Sequence, residues 1–565
     1  MAALSAHTVD PLNNRRGTFN SMKHFKRLFL ASLVLACCTG AFAQDGYTTL
    51  IKMDEEILEL ARPEQENGVP DLSRRAIAKQ RARLEDFRER LLDIDTSSWS
   101  VPQRVDYLLV WSKMNDIVFK HRVMQPWSRD PLTYLYQFRA IPYAEAPSAP
   151  EKQAALSREL KAVPLMVNNA VENLTQPVGE LASLAIFLLD NFDGVGQGEP
   201  YRDNPPEGTI GWFNDLCGRL AKQGSDLLGD CREATAAVQR YRDWLAENVD
   251  RMEASAAIGT ENFNWYLKHV RLLPHTVDDL RAIGKREFHR YRFNYILDRY
   301  KNAPLDELEL TQSAEQHHRR TREAEARIRK LVEELGLFTI PDYVPDEFES
   351  DVFWSPRAKS DRHFWEEIQF RNALNNHIHA SIPGHRFDAE IRKRLENPIR
   401  RTHGESARAE GWATYLEETL IQAGIAEDNP RVRELFYVAL IKRGSRFFAE
   451  IGMHTGEMTL EEANAYMTEW VPFMEEDLGR YDLVGYLRRP GLGSMYLLGK
   501  SQIEQLVSQR AFQLGDDFDL GEFHDDFLSR GVIPVTLIRW EMAGLDDEAR
   551  AVWTDVVGSP FPGDE

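Results

Sequence analysis

Apolar residues recur along this chain at helical rather than alternating intervals. Ile77, Leu84, Phe87, Leu91 and Ile94 are spaced 7, 3, 4 and 3, which places them on one face of a helix that Asp95-Thr96-Ser97-Ser98 ends. The same period predicts helices around 158–174, 231–252, 277–302, 315–335, 361–379, 406–423 and 430–450. Strand-like alternation is confined to a few short runs, so the fold class is mainly α. Gly, Pro and Asp crowd 190–211, and Pro341, Pro345 and Pro356 fall within 340–361. Both stretches read as long surface loops, because helical patterning resumes at once on either side. Neither internal repeats nor low-complexity tracts interrupt the pattern. Residues 44–565 therefore read as one large helical unit, with division into two lobes by a cleft as a variant of the same description.

Length and charge narrow the function. A chain of 565 residues has room for a large cleft. Its 43% hydrophobic and 28% charged residues are ordinary globular composition. A formal net charge of −20 repels phosphate backbones, which argues against nucleic acid as a partner.

The N-terminus reads as a secretory signal over residues 1–43. Lys23, Lys26 and Arg27 precede an apolar run over 28–38, and Ala41-Phe42-Ala43 supplies a small-residue cleavage site. The residues before Met22 are unlike a signal's charged region, so Met22 is an alternative start. Val34-Leu35-Ala36-Cys37 offers a second route, lipid anchoring at Cys37, which would be the chain's sole hold on a membrane. Cleavage after Ala43 and a periplasmic or secreted destination is the reading preferred. Export exposes Cys217 and Cys231 to oxidation and favours a disulfide between them over two reduced, buried thiols.

The chemistry concentrates in His379-Ala380-Ser381-Ile382-Pro383-Gly384-His385 and, downstream, Glu410-Gly411-Trp412-Ala413. Two imidazoles and one carboxylate are the protein ligands of a catalytic zinc ion that keeps its fourth position for water. Six residues turn an ideal helix by about 240°, so His379 and His385 would diverge on an unbroken helix. Pro383 and Gly384 predict a bulge or end that re-aims His385. Glu410, Ala413 and Glu417 share a face of the next helix, making Glu410 the natural third ligand and Glu417 a group able to orient a histidine. The common helical zinc motif His-Glu-x-x-His carries a glutamate after its first histidine to take the water's proton; here that position is Ala380.

These two segments resemble the paired motifs of the bacterial domain-of-unknown-function family number eight-eight-five, His-Glu-Ala-x-Pro-Gly-His and Glu-Gly-Trp-Ala-x-Tyr-x-Glu. The likeness continues through Arg489-Pro490-Gly491 to Tyr496 and Gly499, Phe518-Asp519-Leu520, Phe523-His524-Asp525 and Gly531-Val532-Ile533-Pro534. An N-terminal echo runs from Val163-Pro164 to Asn173-Leu174. The resemblance implies exported proteins, many of them lipoproteins, with a mostly helical, zinc-peptidase-like fold and a deep cleft. It implies that His379, His385 and Glu410 ligate zinc, and that Tyr496 and His524 are candidates for stabilising a tetrahedral oxyanion.

Two departures qualify it: Ala380 replaces the family glutamate, and Leu492 replaces a usual glutamine. General-base assistance is worth roughly 10²–10⁴ in rate, so its loss leaves water attack slow unless another group serves. His377, Glu366, Glu367, Asp388 and Glu390 lie nearby in sequence, although His377 is rotated by about 200° from His379 on a helix. Three functions stay open: a zinc metallopeptidase acting on short peptides with a substitute base, a catalytically impaired relative that binds peptides, and a repurposed hydrolase whose substrate supplies the base.

Overall fold

A computed structural model describes residues 46–553, apart from 67, 144, 192–201, 203, 204, 350–353 and 355–363. The signal reading over 1–43 and the Cys37 anchor lie outside the described residues, as does about half of each predicted loop. Among the described residues no helix is long and apolar enough to cross a membrane.

The chain is mainly helical; the one sheet among the described residues is a two-residue hairpin pairing Gln65–Glu66 with Val69–Pro70. The helices that position the site are α1 (Val277–Asn302), α2 (Ala314–Leu335), α3 (His385–Arg392), α4 (Ser406–Gln422), α5 (Pro430–Thr455), α6 (Met495–Leu514) and α7 (Leu520–Ser529). Their starts follow local chemistry. Thr276 and Asp279 form a reciprocal capping box on α1, Ser313 caps α2, and Asn429 with Pro430 opens α5.

The helix expected over 361–379 is instead broken. It runs Phe364–Arg371, yields at Asn372, whose side chain accepts from the Leu374 N–H at 2.9 Å, and resumes as Leu374–Asn376 before a π turn over His377–Ser381. An asparagine that bonds the backbone two residues on competes with the helical ladder.

Buried apolar side chains form two clusters. One gathers Leu156, Phe213, Tyr241, Phe288 and Leu440; the other gathers Leu84, Trp111, Ile328, Trp412 and Phe527. Three of the site-positioning helices feed both. α4 gives Ala407 to the first and Trp412, Leu416 and Leu420 to the second; α5 gives Val432 and Phe436 to the second and Tyr437, Leu440 and Phe447 to the first. α6 gives Leu497 and Leu498 to the first and Ile503 and Leu506 to the second. The metal-ligand candidates lie along this seam.

Where α4 and α6 cross, no side chain separates them. A Cβ on Gly411 would stand 2.5 Å from the Gly499 Cα, and one on Gly499 would run into the Ala407 carbonyl. This contact brings the Glu410 turn of α4 against the Tyr496 turn of α6. Cys217 and Cys231 are joined by a disulfide, with Cα atoms 5.7 Å apart.

Candidate metal centre

The π turn over His377–Ser381 widens the helix by one residue, and Ile382 leaves it in extended conformation. Gly384 then folds back so closely that a Cβ would overlap the His379 carbonyl oxygen, and α3 begins at His385. The Pro-Gly break thus returns the chain onto its own turn. His379 and His385 face each other edge to face, ring centroids 4.7 Å apart. Trp412 locks the turn to α4 by donating its indole N–H to the Pro383 carbonyl at 3.0 Å.

α4 presents Glu410 to both rings. Its Oε2 lies 3.3 Å from His379 Nε2 and 3.4 Å from His385 Nε2, and ligand atoms of the three residues all lie within 4.8 Å of one another. Tetrahedral zinc with bonds near 2.0–2.1 Å separates its ligand atoms by about 3.3 Å. Glu410 Oε2 is also buried without a hydrogen bond, the state of an oxygen aimed at a cation rather than at a donor. The residues therefore fit the zinc ion that the resemblance implies.

A second carboxylate fixes the ring orientation. Glu417 Oε1 stands 2.7 Å from His379 Nδ1, while its Oε2 accepts from Arg443 and, at 3.0 Å, from Asn375. Arg443 Nη2 is also 3.2 Å from Nδ1, but a guanidinium only donates. With a carboxylate oxygen closer, the proton belongs on Nδ1, which leaves the Nε2 lone pair free to ligate. Burial and the Arg443 cation oppose protonation of His379, yet the Glu410 and Glu417 carboxylates beside it outweigh them and hold its pKa above the ordinary value. Burial likewise works to raise Glu410, but the His379 and His385 imidazoles beside it hold that carboxyl far below the usual range.

Tyr496 is brought to the centre, its ring stacked on His379 at 6.3 Å between centroids. The Arg443 and Arg446 guanidinium carbons lie 5.7 and 5.2 Å from its centroid. Burial raises the phenol's pKa against the pull of Arg446, so it stays a proton donor.

His524 is not brought there. It is fully buried on α7, with Nδ1 2.7 Å from the Leu337 carbonyl and Nε2 2.9 Å from the Tyr415 hydroxyl. Its ring partners are Phe338, Trp412, Tyr415 and Phe523, so it supports the Trp412 wall rather than a reacting atom.

Position 380 offers only a methyl, and its neighbours are engaged elsewhere. His377 Nε2 is 2.7 Å from Glu325, Asp388 forms a bidentate pair with buried Arg408, Glu367 pairs with Arg371, and Glu390 pairs with Lys393 and Arg394. The Glu366 side chain lies outside the described residues. A recess of about 240 Å³ opens beside His385 and Glu410, lined also by Asp388, Arg392 and Glu405. Asn375, Arg443 and Arg446 escaped the sequence reading. Arg443 and Arg446 had a visible signal, as cations between the apolar run Val438–Ile441 and Phe447.

Two solved structures share the fold. One is titled "putative lipoprotein of unknown function", from Shewanella oneidensis; it is 18% identical, with a TM-score of 0.65 over 89% of this chain and 99% of that one. The other is titled "putative lipoprotein", from Colwellia psychrerythraea; it is 15% identical, with a TM-score of 0.65 over 89% and 99%. No curated protein resembles the chain in sequence. The model of the family described as "Bacterial protein of unknown function (DUF885)" matches residues 58–333 and 352–542, most of the chain, and this protein belongs to that family.

Proposed function

We propose that this protein is an exported, zinc-metallopeptidase-like binder of short peptides, with His379, His385 and Glu410 as the protein ligands of one zinc ion. The observation that carries the reading is the buried, hydrogen-bond-free Glu410 Oε2, equidistant within 0.1 Å from two imidazole Nε2 atoms. Bound zinc would polarise a peptide carbonyl and acidify water. The chain's own contribution is orientation. Glu417 holds the His379 tautomer, and Tyr496 with Arg443 and Arg446 forms a donor-rich wall suited to a carbonyl or carboxylate oxygen.

A catalytically impaired form of this function is favoured over an efficient peptidase. Of the described acids and histidine flanking Ala380, His377 is held by Glu325, and Asp388, Glu367 and Glu390 are paired with Arg or Lys cations, which disfavour taking a proton from water. The titles of the two structural neighbours support anchoring at Cys37 as the alternative to cleavage after Ala43.

Metal analysis of purified protein should find close to one zinc per chain, with a chelator lowering Tm. A mixed peptide library should be bound but cleaved slowly. Absence of zinc with an unchanged Tm after chelation would overturn the metal reading, and rapid chelator-sensitive cleavage would overturn the impaired one.

A further inference from the structure

A second cavity, of about 490 Å³, shares no lining residue with the metal centre. It lies between the helices Arg74–Leu92 and Val101–Phe119, the segment after the latter, and the C-terminal end of the helix Glu476–Arg488. Its size is that of a small-molecule site, about 300–1,000 Å³. Leu72, Ile77, Ile117, Trp127 and Leu181 supply apolar wall.

The polar part of the wall is selective. After Val101–Phe119 the chain makes a π turn over Lys120–Met124 and leaves it through Gln125 at φ 42°, which sets buried His121 against Trp127 at 4.9 Å between centroids. Gln80 donates its amide N–H to the Leu60 carbonyl at 2.7 Å, so its Oε1 is the atom facing His121 Nε2 at 2.8 Å. A carbonyl oxygen only accepts, so Nε2 carries the proton and Nδ1 is a bare acceptor. Burial, reinforced by the Arg81 cation, pushes the ring's pKa down to about 4 and keeps it neutral. Nδ1 is buried with no partner, and so is Oε1 of Gln137, another lining residue. Two buried acceptors without donors are costly unless a ligand or water brings N–H or O–H groups to them.

Charge around the cavity opposes that of the whole chain. Seven Lys or Arg side chains line it against three carboxylates, in a protein of net charge −20. Lys79, Lys120 and Arg488 are neutralised by Glu64, Asp116 and Asp130. Arg62, Arg83 and Arg489 have no ion-pair partner among the described residues, and all three are exposed. A cationic mouth over an apolar interior concentrates anions that carry an apolar body.

We propose that this cavity binds an N-acyl amino acid: a carboxylate at the Arg83 and Arg489 mouth, an apolar acyl chain inside, and the amide N–H donated to His121 Nδ1 or Gln137 Oε1. Inorganic phosphate lacks the apolar body, and a free fatty acid carboxylate has no N–H to offer either orphaned acceptor. The assignment stands apart from the metal-centre reading.

The test is calorimetric titration of the full chain with N-octanoylglycine, its ethyl ester and decanoate. The glycine conjugate should bind at least tenfold more tightly than the uncharged ester and several-fold more tightly than decanoate. Binding should persist after chelation, fall at least tenfold in the Arg83→Glu/Arg489→Glu double variant, and lose its preference over decanoate in the His121→Phe/Gln137→Leu double variant, which removes both acceptors. Equal binding of acid and ester to the wild type, no binding at millimolar concentration, or loss of binding on chelation would each overturn the proposal. The wild-type comparison needs no variant to fold.

Discussion

His379 and His524 sit in regions built from similar materials, a short helix against α4 with aromatic rings around an imidazole, yet they end in opposite chemical states. At His379 one ring nitrogen is tied to Glu417 and the other faces Glu410 and His385 with no donor between them. At His524 both nitrogens are spent, on the Leu337 carbonyl and the Tyr415 hydroxyl. A histidine becomes available for chemistry when its surroundings satisfy one nitrogen and leave the other open. Electrostatics follow the same division: carboxylates hold His379 above the ordinary imidazole pKa, whereas burial pushes His524 below it.

The largest effect that would sharpen this contrast concerns the position beside His379. Ala380→Glu should raise peptidase turnover by about 10²–10⁴, the usual worth of a general base, measured as chelator-sensitive cleavage of a peptide library. No gain in a variant that still binds zinc would mean that the missing carboxylate is not what limits the wild type.

Next in size, Glu417→Gln should weaken zinc binding by about 10–100-fold, as expected for removal of the charge that orients a ligand imidazole. Competition with a chromophoric chelator reads this directly. His524→Leu should leave zinc affinity unchanged and lower stability by about 1–3 kcal/mol, since it strands a buried carbonyl and a hydroxyl. A denaturant melt measures the second half; a large loss of zinc in a folded variant would join the two regions functionally and break the comparison.

The smallest effect is one of sign. His524 has a depressed pKa, so its contribution to stability is present above the unfolded-state value near 6.5 and is lost as pH falls below it. Metal-free His379 has a raised pKa, so its contribution is present below that value and is lost as pH rises through the folded pKa. Melting curves of His524→Leu and His379→Gln against wild-type apoprotein, from pH 5 to 8, should diverge in opposite directions.

The sequence disclosed much of this, for identifiable reasons. Helix Ala314–Leu335 is legible because one face is apolar and Ser313 caps it. Val101–Phe119 and Gly179–Asp190 passed unnoticed because burial on most sides erases the period on which such reading relies. The two motif segments named three candidate ligands, since Pro-Gly and the Glu410 face are local signals. Arg443, Arg446 and Asn375 come from other elements, and only the packing of α5 and the turn before the π segment against α4 and α6 brings Arg443 and Asn375 to Glu417 and Arg446 to Tyr496. His524 shows the reverse hazard: a motif flagged it, but Leu337 and Tyr415, both remote from it in sequence, decide its role.

Gly411 and Gly499 carry no reactive atom, yet they act as the gauge block of the whole assembly. Glu410 rides on one helix and Tyr496 on the other, and the distance between those helices is set where each chain has nothing but a hydrogen to offer. A single added methyl would wedge the two rods apart and carry the carboxylate away from the phenol. Tolerance to change in this protein is therefore lowest at positions that a search for functional groups passes over.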